Sequence, residues 1–238
     1  KWKMQAAMRY NLNSVSSDFS KNLDFYPVLV TSFRDRYPSL TGNLGFIYQP
    51  TPSLSLSPQL ATGFRAPNVD DLGKIFDSQP GIVLVPNPTL LPEYAYNAEL
   101  NLNKQLGGKI KIDLTGYYTL LDRAMVLRSS TLNGQNQLIY DGELSNVFSL
   151  QNAAFAKIKG IHVGFEIALS KNMLLTSKYN WQKGVEELDD KTTSPSRHAA
   201  PAFGLTKIRY QSKKVSLELS SQYSAAMPFE KMPQEEIT

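Results

Sequence analysis

The sequence predicts an all-β fold, an antiparallel meander that forms part of a transmembrane β-barrel. Three observations lead to this prediction. Apolar and polar residues alternate in about nine segments of the 238-residue chain, as they do along a strand whose two faces meet different surroundings. These segments are about 10 to 13 residues long, which exceeds the usual strand of a soluble sheet and is enough to cross a bilayer. Short turns and long polar loops alternate between them, which is typical of outer-membrane barrels.

The first three predicted strands cover residues 2–12, 40–49 and 53–64. In the first strand the apolar residues occupy the even positions: Trp2, Met4, Ala6, Met8, Tyr10 and Leu12. Helical spacing would not produce this period of two. Residues 13–39 show no sustained period and are rich in Ser, Asp, Asn and Pro, so we expect a long loop there.

The next two predicted strands cover residues 94–103 and 109–121, joined by a tight turn. The first of them places Tyr94, Leu100 and Leu102 opposite polar residues. Long loops are expected on either side, at residues 65–92 and 122–152.

Within the second of these loops, residues 124–140 suggest an extended hairpin. Its centre is Asn133-Gly134, the dipeptide favoured where both turn residues need a positive φ.

The last four predicted strands cover residues 155–169, 173–182, 199–210 and 215–223. A polar, aperiodic loop is expected at residues 183–198. In the third of these strands the apolar residues change phase between Leu205 and Ile208, so we expect a β-bulge near Thr206.

Composition excludes several classes of protein. The apolar fraction of 42% and the aromatic fraction of 11% exclude a disordered chain. The net charge of +4 is small and its residues are interspersed, so we expect no nucleic-acid partner. The absence of cysteine excludes disulfides and thiolate metal sites. No apolar run approaches the roughly 18 residues that a transmembrane helix needs.

The chain is expected to be an interior piece of a longer protein. It opens directly into an alternating strand without a signal peptide, and about nine strands is an odd number that does not close a barrel in the usual way. We therefore expect residues 1–238 to form one partial barrel domain.

Two proline-containing stretches bracket the loop at residues 65–92. The first box is Phe64-Arg65-Ala66-Pro67-Asn68, and the second box is Pro86-Asn87-Pro88-Thr89-Leu90-Leu91-Pro92-Glu93. Each proline fixes φ and extends the residue before it, so the boxes are expected to be rigid corners. Together they resemble the paired boxes of TonB-dependent outer-membrane receptors, and most closely the branch that imports haem and haem-protein iron.

This resemblance implies a barrel of about 22 strands closed by an N-terminal plug, of which this chain would supply roughly the eleventh to the nineteenth strand. It further implies a monomer in the outer membrane of a Gram-negative bacterium, contacting outer-membrane lipid and the TonB complex through a plug that this chain lacks. The ligand would be an iron-bearing small molecule or a haem protein. No bound cofactor is expected.

The resemblance also suggests which residues of the external loops contact the ligand: Phe64, Arg65, Pro67, Asn68, Asn87, Pro88, Leu90 and His198. Arg65 is expected mainly to fix its own loop by hydrogen bonds to neighbouring backbone or carboxylate groups. In haem receptors of this branch a histidine between the boxes is taken to ligate haem iron. This sequence departs from that pattern, because residues 68–85 contain no His, Tyr, Met or Cys.

The two histidines do not form a metal site, because no convergent His, Asp or Glu spacing surrounds them. His162 lies on the polar face of its strand between Gly160 and Gly164, where a structural role is expected. His198, beside Arg197, is placed at the external mouth, where it is a candidate ligand contact. Catalysis lacks support, since Gly-x-Ser-x-Gly, a glycine-rich phosphate loop and a cysteine nucleophile are all absent.

Two functions remain open at this point. The first is an outer-membrane, TonB-dependent active transporter that imports an iron-bearing nutrient such as haem, hemoglobin iron or a siderophore. The alternative is a soluble or surface-exposed all-β adhesin or binding protein.

Overall fold

The structure, a computed structural model, describes residues 1–18, 20, 32–73, 75–152, 155–187, 191–196, 199–229 and 232. Its strands and its helix, in chain order, are β1 (Trp2–Asp18), β2 (Ser32–Thr51), β3 (Leu54–Arg65), α1 (Val69–Gly73), β4 (Phe76–Gln79), β5 (Ile82–Leu84), β6 (Glu93–Leu106), β7 (Ile110–Asp122), β8 (Met125–Ser129), β9 (Gln137–Tyr140), β10 (Glu143–Asn152), β11 (Phe155–Ala168), β12 (Met173–Glu187), β13 (Thr193–Pro195), β14 (Phe203–Gln211) and β15 (Ser216–Ser224). Nowhere in these described ranges is a helix both long enough and apolar enough to cross a membrane.

Nine long strands form one large antiparallel sheet in the order β1-β2-β3-β6-β7-β11-β12-β14-β15, with β13 paired to the end of β12. Neighbours in the sheet therefore follow the order of the chain, apart from the short strands that lie in loops. The predicted all-β meander is confirmed.

The pairing of these strands gathers their large apolar side chains on one side, here called the apolar face; the other side is the polar face. Leu100 pairs with Gly116 and Ile161 with Trp181, and the same alternation continues across the sheet. Members of the apolar face that remain well exposed include Trp2, Met4, Tyr10, Leu44, Leu60, Tyr96, Leu100, Leu114, Tyr118, Ile161, Phe165, Trp181, Ile208, Leu217 and Leu219. No second layer covers them within the described residues. An uncovered apolar face of this width suits the hydrocarbon of a membrane and not water.

The two ends of the sheet differ. Its turn end carries tight connections such as the one at Gly107 and Gly108, whose φ angles of 52° and 67° require glycine-like freedom. Its loop end carries the long connections between β3 and β6 and between β7 and β11. This asymmetry is the one predicted for an outer-membrane barrel.

The loop predicted at residues 13–39 is wrong at both of its ends. β1 continues to Asp18 and β2 begins at Ser32, with Asn13 paired to Tyr37 and Asp18 to Ser32. The alternation of outward-facing apolar residues stops here, although the backbone ladder continues. Val15 and Phe33 lie on the opposite face and pack against buried residues of the neighbouring loops. Residues 19 and 21–31 lie outside the described part of the chain.

The loop predicted at residues 183–198 is corrected in the same way. Residues 183–187 continue β12, and β13 pairs back onto them, with Val185 opposite Pro195. Residues 188–190 and 197–198 lie outside the described ranges, so the prediction for Arg197 and His198 is not tested.

The loops at residues 65–92 and 122–152 are not irregular but build a second, five-stranded sheet, here called the loop sheet. Its order is β4-β5-β10-β8, with β9 paired to β10. The two loops meet where β5 and β10 run parallel, with Val83 opposite Val147. Four of these strands have only three to five residues and give no readable alternation. The fifth, β10, has ten residues but finds its partners in both loops, so the sequence did not reveal the sheet.

The predicted hairpin at residues 124–140 is wrong, although its turn is confirmed. Asn133 and Gly134 have φ angles of 52° and 82°, and Leu132 and Gln135 bridge across them. The flanking strands β8 and β9 nevertheless pair with β10 and not with each other. A second tight turn, at Asp141 and Gly142 with φ angles of 48° and 85°, brings β10 back along β9 and supplies that partner.

The predicted β-bulge near Thr206 is also wrong. β14 pairs with β12 and with β15 without a shift in register. The change of phase arises because Phe203 and Leu205 lie on the polar face, whereas Ile208 and Tyr210 lie on the apolar face. The strand itself is regular.

Candidate functional site

The first box leaves β3 at the loop end and turns sharply into α1. Arg65 Nη2 lies 3.3 Å from Oδ2 and 3.4 Å from Oδ1 of Asp71, whose side chain is only 8% exposed. Pro67 is fully buried beneath this turn. The expectation that Arg65 fixes its own loop through a neighbouring carboxylate is confirmed.

Asn68 and Asp71 bond to each other reciprocally and so begin the helix. The Asp71 backbone N–H donates to Asn68 Oδ1 at 2.9 Å, and the Asn68 N–H donates to Asp71 Oδ2 at 3.0 Å. This is the arrangement of a capping box, which satisfies two N–H groups that the first helical turn leaves open. Asp71 therefore serves both the ion pair and the cap.

The second box is held by the side chain of Asn87. Its Oδ1 accepts from the Thr89 backbone N–H at 3.1 Å and from the Thr89 hydroxyl at 2.7 Å. Its Nδ2 donates to the Leu150 backbone oxygen at 2.8 Å, in the following loop. Pro88 and Thr89 remain exposed at the corner, whereas Leu90 is buried.

The side chain of Asn152 forms hydrogen bonds that join the second box to the loop at residues 122–152. Its Oδ1 accepts from the Leu91 N–H at 2.8 Å, and its Nδ2 donates to the backbone oxygens of Leu91 at 2.9 Å and Arg123 at 2.8 Å. Beside it, the Met125 N–H donates to Glu93 Oε2 at 2.8 Å. Sequence reasoning missed Asn152, since no local pattern sets it apart from the other asparagines of the chain.

Apolar packing joins the same segments. Leu72, Leu90 and Met125 form a buried cluster, and Val15, Phe33 and Leu150 pack against it. A second cluster lies in the loop sheet: Val83, Val85 and Val147, with Ile75, Leu132, Leu138 and Tyr140 around them. Both clusters contain residues of the loop at 65–92 and of the loop at 122–152. The two boxes therefore belong to one packed unit at the loop end.

The predicted contact residues differ in burial and in hydrogen bonding. Phe64 lies at the end of β3 with its ring 5.2 Å from that of Tyr94, and Pro67 and Leu90 are buried in packing. Arg65, Asn68 and Asn87 are engaged in the local bonds described above. Of the predicted residues that the structure describes, Pro88 is exposed without such a bond.

The polar face carries His162, as predicted. Its ring centroid lies 4.9 Å from that of Tyr117, whose hydroxyl donates to Gln182 Oε1 at 2.9 Å. Tyr117 reaches Gln182 by crossing Gly160, where an added Cβ would lie 2.5 Å from the Tyr117 hydroxyl oxygen. His162 also pairs with Asn180, whose buried Oδ1 has no hydrogen-bond partner.

These residues border an open groove of about 840 Å³ along the polar face, whose lining includes His162, Lys178, Asn180, Phe203 and Gln222. The groove offers hydrogen-bond donors and acceptors together with aromatic and aliphatic side chains. Among the residues that the structure describes, no group of three or more His, Cys, Asp or Glu side chains is placed to hold a metal ion.

Comparison with known proteins agrees with this architecture. A family model described as TonB dependent receptor-like, beta-barrel matches residues 1–225. The hemoglobin and hemoglobin-haptoglobin-binding protein of Haemophilus ducreyi is 25% identical over 185 residues, which is 73% of this chain and 18% of that protein. This chain therefore spans about a fifth of the length of that relative.

Solved structures show the same fold. The copper transporter OprC superimposes with a TM-score of 0.69 at 14% identity, covering 94% of this chain and 32% of its own. The hemophore receptor HasR of Serratia marcescens, solved with its hemophore and heme, gives 0.66 at 13% identity, covering 94% and 41%. The FrpB iron transporter of Neisseria meningitidis gives 0.60 at 15% identity, covering 93% and 30%.

Proposed function

The chain belongs to the TonB-dependent receptor β-barrel family, and from that premise we propose that it is part of the wall and external mouth of an active transporter in a Gram-negative outer membrane. Members of this family are transporters and not enzymes. The observation that carries the proposal is the combination of a wide, uncovered apolar face with an ordered loop end. A wall suits lipid on one side, and an ordered mouth suits ligand recognition.

The imported nutrient is an iron-bearing one: haem, iron from a haem protein, or a ferric siderophore. Similarity to a hemoglobin-binding protein supports the haem-protein alternative. The absence of His, Tyr, Met and Cys from residues 68–85 means that an axial haem ligand would have to come from elsewhere in the receptor.

In this proposal the two boxes shape the entrance, and Pro88 and His198 are its candidate ligand contacts. The other predicted contact residues act through the turns that they hold in place. Residues 1–238 would be a partial barrel domain, and the plug and the contact with the TonB complex would belong to other parts of the whole receptor. No observation favours the adhesin alternative.

The test uses the intact receptor in its native host. We expect it to fractionate with the outer membrane and to require detergent for extraction. We also expect uptake of one iron source, and we expect this uptake to stop when the proton-motive force is dissipated. Binding titrations with hemin, hemoglobin and ferric siderophores identify the cargo. A receptor that is freely soluble, or uptake that persists after the proton-motive force is dissipated, contradicts the proposal.

A further inference from the structure

His162 is an exposed side chain among small neighbours on the polar face. The positions next to it on the same face of β11 are Gly160 and Gly164, which have no side chain. In the neighbouring strands it pairs with Thr115 on β7 and with Asn180 on β12, and both are smaller than histidine. Strands of a sheet lie about 4.8 Å apart, so these positions form one patch in which the imidazole is the largest side chain.

The groove leaves this imidazole accessible. An added Cβ at Gly164 would have only atoms of Asp113 within reach, the nearest at 3.6 Å, so no other side chain closes over that position. On the opposite side the Tyr117 hydroxyl lies over Gly160, and the rings of Tyr117 and His162 are 4.9 Å apart. The groove is therefore open to a flat ligand that lies over the imidazole.

Asn180 supplies an unused acceptor beside the imidazole. Its Oδ1 is buried and has no hydrogen-bond partner, although Asn180 pairs directly with His162. Buried acceptors are nearly always satisfied, so an unsatisfied one calls for an explanation. A histidine that ligates a metal through one ring nitrogen donates the N–H of the other nitrogen to an acceptor, which fixes its tautomer and its orientation. Asn180 Oδ1 is available for that role.

The groove also holds a free positive charge on its β12 side. Lys178 is exposed and forms no ion pair with any described residue. Of the carboxylates that border the groove, Glu166 is bonded to Lys111 at 2.7 Å, and Asp113 on β7 accepts from Asn101 Nδ2 at 3.2 Å. The ammonium of Lys178 is thus available to a carboxylate of a ligand, as a charge-assisted hydrogen bond.

We propose that His162 is an axial ligand of haem iron, with the macrocycle lying along this groove. Phe203 and Leu205 on β14 form the apolar border of the site, and Lys178 binds a haem carboxylate. The site supplies the ligand that residues 68–85 lack. The inference rests on the transport function proposed above, in which the polar face is the side that the nutrient passes, and it selects haem among the iron-bearing nutrients.

The test titrates the intact receptor in detergent with hemin and records optical and electron paramagnetic resonance spectra. The unaltered receptor is expected to show ferric haem with a histidine ligand, and His162→Gly is expected to lose that ligand. Added imidazole should restore the spectrum of His162→Gly, because it can occupy the space that the side chain leaves. The matched control is Gln59→Gly, at an exposed position of the polar face on β3, whose spectrum should not change.

Two further variants separate ligation from packing. Asn180→Ala is expected to weaken hemin binding by about tenfold, because residues that orient a metal-ligating histidine typically contribute that much to affinity. Lys178→Gln is expected to weaken the binding of hemin by about tenfold and to leave the binding of hemin dimethyl ester, which has no carboxylate charge, within about twofold.

Several results would overturn the proposal. They are an unchanged haem spectrum in His162→Gly, as expected if another part of the receptor covers the groove, a loss that imidazole does not restore, or loss of the histidine ligand in His198→Gly alone. Should His162→Gly fail to fold, unchanged hemin affinity in Asn180→Ala, or equal weakening of hemin and its ester in Lys178→Gln, also contradicts the site.

The two proposals fail in different ways. A receptor that imports its nutrient while His162→Gly binds hemin unchanged contradicts only the haem site. A receptor that binds hemin through His162 without import contradicts only the proposed transport.

Discussion

Arg65 and Asp71 form an ion pair 3.3 Å long that spans the first turn after β3, and Asp71 also accepts the N–H of Asn68. The guanidinium is 45% exposed, so solvent screens the ion pair, and most of the stabilisation comes from the cap. Asp71→Ala is expected to destabilise the loop by about 1 kcal/mol. Limited proteolysis of the folded receptor should then cut residues 65–92 faster. Asp70→Ala, at an exposed neighbouring position, should leave the cleavage rate unchanged; equal cleavage in both variants would contradict this role.

Asn152 should matter to two loops at once. Asn152→Ala removes three hydrogen bonds and leaves backbone groups of Leu91 and Arg123 without partners, at a cost of about 2–3 kcal/mol. Asn152→Asp keeps the acceptor for the Leu91 N–H but sets a carboxylate oxygen against the carbonyl oxygens of Leu91 and Arg123, so it should destabilise at least as much as Asn152→Ala. Hydrogen exchange at the Leu91 amide measures the effect. The control variant is Asn172→Ala, at the turn end of the sheet. If the Leu91 amide also exchanges faster in this control, the effect is global and not specific to Asn152.

The loop sheet should open as one cooperative unit. Val83 is completely buried against Val147, so Val83→Ala removes packing shared by both loops and is expected to cost about 1–2.5 kcal/mol. Amide protection should fall by the same factor in β5 and in β8 and β10, because local openings expose contiguous packed units. Leu144→Ala, at a side chain that is 65% exposed, should change neither the stability nor the amide protection of these strands. Loss of protection confined to residues 65–92 would mean that the loops open separately.

The apolar and polar faces should respond oppositely to charge. Leu60 and Gln59 are neighbours on β3 that point to opposite faces, and Leu60 is 58% exposed. Leu60→Arg is expected to destabilise the receptor in lipid vesicles by about 2–4 kcal/mol, depending on its depth. Gln59→Arg should have little effect, because the polar face already carries charge. Folding titrations in vesicles provide the measurement, and comparable losses in both variants would contradict the assignment of the faces.

Gly160 should tolerate no side chain, unlike Gly164 on the same strand. An added Cβ at Gly160 meets the Tyr117 hydroxyl oxygen at 2.5 Å and the Trp181 backbone oxygen at 2.7 Å, whereas at Gly164 the nearest atom is 3.6 Å away. Gly160→Ala is therefore expected to cost about 1–3 kcal/mol through overpacking, and Gly164→Ala much less. Thermal unfolding of the receptor in detergent compares the two variants. Tyr117→Ala should relieve only part of the loss in Gly160→Ala, because the Trp181 backbone oxygen remains 2.7 Å from the added Cβ. Full relief would contradict a role for Trp181, and no relief would contradict one for Tyr117.

The sequence could predict the large sheet because its nine strands have one apolar and one polar face, which gives an alternation of apolar and polar residues along each strand. The prediction failed where the contrast ends. From Asn13–Tyr37 and Val185–Pro195 onwards the ladder continues beyond the apolar face, and the sequence no longer alternates there. The apolar residues Val15 and Phe33 pack against the loops instead, which no local pattern indicates. The role of Arg65 in fixing its own loop through a neighbouring carboxylate was anticipated, and Asp71 supplies that group.

The loop sheet could not be predicted, because its pairing depends on partners in another loop. β5 has three residues, and nothing near Val83 indicates that Val147 lies beside it. The same is true of Asn152, whose bonds join residues 61 positions apart. Such contacts follow only from the positions of the strands that carry the loops.

The parallel pairing of β5 with β10 also implies an order of assembly. Each pairing of the large sheet joins strands separated by at most one loop, whereas the bonds from Asn87 to Leu150 and from Leu91 to Asn152 span 63 and 61 residues. These bonds can form only after β6 and β7 have paired and brought the two loops to the same end. The mouth of the receptor should therefore mature last, on a wall that is already in place.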